Sequence, residues 1–233
     1  LYFVTIPISY GFSGYYDNIG DMRNSGIEFA VNGAIMDRKN FRWDAYMNFT
    51  HYTNKIIMLP DTHKNREIDG YFGYASGNKF VAEGLPLNTF LMPKYAGVDR
   101  ETGLPMWYAD EVKLDAEGEP LLDAEGNKIP TGNITTTTEY SEARDFLCDD
   151  PTPLLYGGFG TSFSFYGFDI SASFTYSIGG LTYDGGYAGY MAPPGGTVGS
   201  NYHQDVLKAW TPENKDSDIP RFVYNDQNIN ASS

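Results

Sequence analysis

The stretch FDISASFTYSIGG, residues 168–180, constrains the fold more than any other. Phe168, Ile170, Ala172, Phe174, Tyr176 and Ile178 alternate with Asp169, Ser171, Ser173, Thr175, Ser177 and Gly179. A period of two predicts a β-strand whose faces meet different surroundings. Two folds use such a strand. In a soluble sandwich the apolar face packs into a core. In a membrane barrel the apolar face meets lipid, and the small polar face lines a wet lumen.

The same period recurs. GIEFAVNGAIM (26–36) sets Ile27, Phe29, Val31 and Ile35 against Glu28, Ala30 and Asn32. After the polar turn DRKN (37–40), FRWDAYMNFTHY (41–52) sets Phe41, Trp43, Ala45, Met47 and Phe49 against Arg42, Asp44, Tyr46, Asn48 and Thr50. This predicts an antiparallel hairpin. FGTSFSF (159–165), the turn Tyr166-Gly167 and the strand from Phe168 predict a second, with Phe159, Phe163 and Phe165 on one face and Thr161 among them. Each strand has about the 9–11 residues that cross a bilayer when tilted. The connections at the other end are long, 57–158 and 181–233. Tight turns on one rim and long loops on the other are the habit of outer-membrane barrels.

Charge separates these regions. Net charge is −14, from 16 Lys+Arg against 30 Asp+Glu, which excludes a nucleic-acid partner. Residues 57–153 hold 18 acids and 8 bases, whereas Phe159–Gly180 holds only Asp169. The polar strand faces carry Ser, Thr, Gly and Asn rather than the Lys and Glu of a water-exposed sheet. The apolar faces carry no charge, as lipid requires, since Arg or Lys at mid-bilayer costs about 2–4 kcal/mol. Phe41, Trp43, Phe159, Phe168 and Tyr176 sit near strand ends, where interfacial girdles belong. The membrane barrel is the preferred reading. A soluble β-sandwich module that binds carbohydrate remains the alternative.

The long connection has internal order. KFVAEGLPLNTFLMPKYAGVD is expected to pair with LPMWYA through the turn VDRETG. LDAEGEP and LDAEGNK then repeat at a spacing of eight, each with Asp three residues before Gly, a turn signal. Asp115, Glu117, Asp123 and Glu125 admit a calcium loop, but the EF-hand spacing is absent. Solvated hairpins are expected there, and no cofactor or metal. The lone Cys148 excludes an internal disulfide. His51, His63 and His203 have no paired nucleophile in a recognisable frame, and the adjacent Asp149 and Asp150 point apart in an extended chain. No enzyme is expected. His51, ending an apolar face, reads as a rim residue. NFT (48–50), NIT (133–135) and NAS (230–232) match the glycosylation pattern by chance.

Four stretches carry a resemblance. NIGDMRNSGIEFAVNG (18–33), with its Gly-hydrophobic-Glu step, resembles a barrel-strand opening of TonB-dependent receptors. KYAGVDRETGLPMWY (94–108), YGGFGTSFSFYGFDIS (156–171) and DVLKAWTPENKDSDIPR (205–221), in this order, resemble the SusC/RagA family of TonB-linked outer-membrane transporters of Bacteroidetes. Arg100 stands where that family's turn has proline, which a type I turn tolerates.

The resemblance implies an all-β fold. The whole chain, 1–233, would be one portion of a large antiparallel transmembrane barrel of about 22 strands with a plugged lumen. Residues 57–158 and 181–233 would be extracellular loops, the first with possible extra strands. The chain, opening mid-strand, reads as an internal piece of about seven strands, without plug or closing strands. Open strand edges in lipid cost several kcal/mol per unpaired group, so such a piece is expected to be stable only within the whole protein. The resemblance further implies a SusD-like surface lipoprotein as lid, TonB as the energy-coupling partner, and an oligosaccharide or peptide as cargo.

Substrate contacts are then expected from loops and lumen. Trp107 and Tyr108 in the long loop, and Tyr187, Tyr190 and Tyr202 in and after the Gly-rich loop, are platforms that could stack on a sugar. The plainer reading is that they pack the loops or meet the lid. Arg42, Asp44, Tyr46, Asn48, Ser171, Ser173 and Thr175 are expected to face the lumen.

Overall fold

In the computed structural model the described residues are 2–5, 9, 11, 13–17, 20–124, 126–193, 199 and 201–224. The strands in chain order are β1 (Tyr2–Thr5), β2 (Gly14–Asp17), β3 (Asp21–Arg38), β4 (Phe41–Met58), β5 (Arg66–Ile68), β6 (Tyr71–Ser76), β7 (Lys79–Ala82), β8 (Leu91–Pro93), β9 (Tyr95–Val98), β10 (Pro105–Val112), β11 (Pro130–Thr137), β12 (Asp145–Leu147), β13 (Leu155–Phe165) and β14 (Phe168–Ile178). One short helix, α1 (Gly185–Met191), follows. The chain divides into two compact units, 1–90 with 147–182, and 91–146 with 183–233.

The first unit is organised by a four-stranded antiparallel sheet in the order β14-β13-β4-β3. Both expected hairpins are in it. The first turn is tighter than the DRKN reading, because Arg38 pairs with Phe41 and only Lys39 and Asn40 intervene. The second is the two-residue turn Tyr166-Gly167, with φ of 47° and 86°. Two positive φ values match the right-handed twist of the flanking strands. A bulge between Ala34 and Met36 removes Ile35 from the expected alternation and sets Met36 opposite Trp43.

Apart from Ile35, register puts the expected apolar positions on one face. Phe159 lies between Phe174 and Met47, Phe163 between Ile170 and Trp43, and Phe49 beside Phe29. The rings meet: Phe159 and Phe174 stack at 5.1 Å, Phe29 and Phe49 at 5.2 Å, Trp43 and Phe163 at 5.6 Å. Yet among the described residues this face is left largely open. Phe174 is 53% exposed and Ile170 57%. Among the described residues no second sheet lies on this face, so the sandwich alternative fails on its central requirement, a dry core between sheets.

The expectation of about seven bilayer-length strands is corrected. Four described strands reach ten residues or more, and the others have eight or fewer. The residues between them build small loop cores instead. In the first unit β5-β6-β7 forms a sheet burying Ile68, Phe80 and Val81. In the second, β11-β10-β9 buries Val98, Trp107 and Ala109. The expected pairing across VDRETG is present as β9 with β10, Val98 opposite Pro105.

Candidate functional site

The two faces of the four-stranded sheet have different chemistry, and register lets each be measured. From the rung of Phe41, Phe165 and Phe168 to the rung of His51 and Ile27, the apolar face runs ten residues along β4. At about 3.3 Å per residue that is roughly 33 Å of strand. A strand tilted ~40° covers ~25 Å of membrane thickness over that length, the height of a barrel's apolar band. Aromatic rings flank a middle rung of Ala45, Thr161 and Ala172. Arg38, opposite Phe41, stands at one end rung of the band, and Arg23 and Lys55 lie beyond the other end. Two polar groups inside it satisfy each other, as hydrocarbon demands. Trp43 Nε1 donates to Thr161 Oγ1 at 2.7 Å, and Thr161 Oγ1 donates to the Asp44 carbonyl at 3.1 Å. His51 Nδ1 lies 2.6 Å from the Leu154 carbonyl at the margin.

The opposite face gathers the polar positions. Arg42 donates from Nε and Nη2 to both carboxylate oxygens of Asp44, at 2.7 and 2.9 Å, and approaches Asp37 at 3.5 Å. Asn48 Oδ1 accepts the Gly158 N–H at 3.0 Å. Tyr46 crosses the neighbouring strand to donate to Ser173 Oγ at 2.9 Å. It can do so because Gly160 lies beneath it; a Cβ there would come within 2.4 Å of the tyrosine ring. Ser171 pairs with Ser162 and Thr175 with Gly158 on the same face. Arg42, Asp44, Tyr46, Asn48, Ser171, Ser173 and Thr175 thus lie on one face of the sheet.

The loop aromatics part company. Trp107 is corrected as a stacking platform: its exposure is 0%, and its ring meets Tyr140 edge-on at 5.2 Å. A platform needs an open ring face, and β10 turns this one into the loop core. Tyr108, on the other face of β10, stays 40% exposed beside Phe146, which also carries Lys94 and Arg144 over its ring. The Gly-rich loop forms α1, begun by Asp184 accepting the Tyr187 N–H at 2.8 Å. Tyr187 packs on His203 at 4.9 Å and donates its hydroxyl to Asp205. Burial, then the Asp205 charge, pushes the Tyr187 hydroxyl above its usual range. Tyr190 is exposed, its carbonyl accepting the His203 N–H, and Tyr202 meets Phe222 at 5.1 Å.

Two of the stretches that carried the resemblance lock together in the second unit. The Asp99 carboxylate accepts from Glu101 N and Thr102 Oγ1, which hold it below the usual carboxylate range. Gly103, at φ 73°, lies under the Trp210 ring, whose indole N–H donates to the Arg100 carbonyl at 3.1 Å. Arg100 pairs with Asp216, a partner that proline could not take. Tyr95 donates to the Asp218 carbonyl, and burial pushes its hydroxyl up to about 12. In the LDAEG repeats, Asp115 Oδ1 accepts from Glu117 N and Glu119 N, and Asp123 Oδ1 accepts from Asn127 N. Both carboxylates thus serve the turns. Glu125, the fourth residue of the calcium pattern, and Asn230 lie outside the described residues, among which no three His, Cys, Asp or Glu gather as a metal site would require.

One concave site was not anticipated. A cavity of about 730 Å³ opens on the polar face of β3, β4 and β13, lined by Asn24, Glu28, Thr50, Tyr52, Asn54 and Tyr156 together with Pro86, Leu87 and Asn88. It begins at the outer margin of the apolar band. Alternation could have placed Glu28 and Thr50 on this face, but the return of residues 86–88 over it has no sequence signal.

No family model matches the chain. It is similar to the TonB-dependent receptor P3 of Formosa agariphila, 28% identical over 233 residues, covering 97% of this chain and 21% of that receptor. It is similar to the TonB-dependent receptor SusC of Bacteroides thetaiotaomicron, 28% identical over 140 residues, 56% of this chain and 14% of SusC. Among solved structures, the RagAB peptide transporter superposes with a TM-score of 0.71 at 27% identity, covering 98% of this chain and 23% of that one. In sequence and in fold the chain is similar to TonB-dependent receptors of the SusC and RagA kind. It spans about a fifth of the length of the curated TonB-dependent receptors it matches. Its four-stranded antiparallel sheet matches part of the fold of the RagAB transporter, and the described residues alone do not close a barrel.

Proposed function

We propose that the protein containing these residues imports an oligosaccharide or a peptide across the outer membrane, as the barrel of a SusC-type transporter. The observation that carries this reading is the single-layer sheet. One face is a ~25 Å apolar band with aromatics, its charges confined to the end rung of Arg38 and to positions beyond the band, and the other is a hydrogen-bonded polar surface, the two sides of a barrel wall. A surface lipoprotein of the SusD kind serves as lid, and TonB, acting through a part of the protein outside these residues, supplies energy. The structured loops, held by Trp107 and Trp210, are where a lid would rest. The role is transport rather than catalysis, in keeping with the receptors and the transporter that the chain resembles.

The test uses the full-length protein in its native cells. Uptake of the cargo should stop when TonB is removed, and the purified protein should require detergent and bring a lipoprotein with it. A protein that purifies from buffer alone as a folded monomer would overturn the reading.

A further inference from the structure

The cavity on the polar face is more than a gap between strands. Thr50 lies opposite both Glu28 and Tyr156, so three strands converge on one rung. One rung outward, the Tyr52 ring meets Tyr156 at 6.2 Å and 89°. Residues 86–88 are tied over this surface, since Asn54 Oδ1 accepts the Leu87 N–H at 2.8 Å and Asn88 Oδ1 accepts from Lys79 Nζ at 2.8 Å. Among the described residues, the Glu28 carboxylate and the Tyr52 and Tyr156 hydroxyls have no hydrogen-bond partner, and Glu28 is the only Asp, Glu, Lys or Arg in the lining. A formed cavity with convergent unpartnered polar groups is the form of a ligand site.

We propose that this cavity is a subsite for a neutral oligosaccharide; this deepens the import reading and rests on it. A sugar ring offers an apolar C–H face to a tyrosine ring and hydroxyls to amides and to a carboxylate, which accepts two donors at once. At about 730 Å³ the space suits a short oligosaccharide. Glu28, unpaired, repels a uronate or sulfate. An extended peptide fits less well: it binds by adding a strand to free backbone groups, and β4 and β13 at the middle of the cavity have neighbours on both sides, which leaves only the edge of β3 among the described residues.

The test is titration calorimetry on the full-length receptor in detergent, with neutral trisaccharides of glucose, mannose and xylose, a galacturonic acid trimer, and a lysine-containing tripeptide. A neutral trimer should bind at least about tenfold more tightly than the acidic one. Tyr156→Ala should weaken it about tenfold, and Tyr156→Phe, which keeps the ring, by only about threefold. Glu28→Gln should narrow the gap between neutral and acidic trimers. Heat-modifiable migration in gels checks folding, and Tyr156→Phe and Glu28→Gln keep the test alive should Tyr156→Ala misfold. Absence of neutral-trimer binding, equal or tighter binding of the acidic trimer or the tripeptide, or unchanged affinity in the variants would overturn the subsite. Cellular uptake is measured in parallel. TonB-dependent uptake that persists while the cavity variants bind normally removes the subsite alone; absent TonB-dependent uptake removes the import reading.

Discussion

Phe174 and Trp107 are both large aromatic residues in strands, yet one is 53% exposed and the other 0%. The first belongs to the four-stranded sheet, the second to the small sheet of the loop unit. In the loops water surrounds the protein, and a large ring is stabilised only by protein neighbours. Under the proposed function the medium around the sheet is hydrocarbon, and a ring is stabilised without being covered. Fractional exposure therefore has opposite meanings in the two regions, and the medium decides which applies.

Breaking each region should show the difference. Trp107→Ala has the largest expected effect, about 3–5 kcal/mol, because it empties the centre of a small core. Hydrogen exchange should report opening of residues 91–146, with heat-modifiable migration of the barrel intact. Trp107→Phe should cost less, since the indole N–H has no hydrogen-bond partner to lose. Phe174→Arg comes next, at about 2–4 kcal/mol, because it places a cation in the apolar band. That cost should appear in urea unfolding from lipid vesicles. If Phe174→Arg were neutral, the face would be meeting water.

A smaller effect is expected from Thr161→Val. It keeps the shape but leaves the Trp43 N–H unpaired in hydrocarbon, at about 1–3 kcal/mol in the same assay. Gly160→Ala should break the Tyr46–Ser173 bond across the polar face, visible in the ultraviolet spectrum of tyrosine.

The pH dependence of the loop unit should be the mildest test. Asp99 is depressed by the Glu101 and Thr102 N–H groups and the Thr102 hydroxyl. Its stabilisation is therefore present above the ordinary value of 3.8 and is lost as pH falls through the lower folded value. Tyr95 is raised by burial, so its contribution is present below the ordinary 10.0 and is lost as pH rises towards about 12. Proteolysis of the 95–112 hairpin should accelerate only outside that window, and tyrosinate absorbance should show one late-titrating tyrosine.

Alternation was legible because it is local. A period of two assigns each side chain of 168–178 to a face before any pairing is known, and a short polar or glycine turn assigns the neighbour. The bulge at Ile35 was not legible, since it depends on how β3 fits β4. Nor was the burial of Trp107, because a loop aromatic followed by another looks the same whether it packs inward or stacks on cargo. The cavity at Glu28 needed residues 86–88 to return over a strand more than thirty positions earlier in the chain, and loop closure leaves no periodic mark.

By itself the sequence determined two hairpins with an uncharged apolar face, because strand pleat converts a one-dimensional pattern directly into two surfaces. Only the tertiary structure decided that the apolar surface stays uncovered and that the polar one carries a hollow at its outer end. Those outcomes depend on which distant segments meet, and contacts between distant segments are set by packing rather than by local preference.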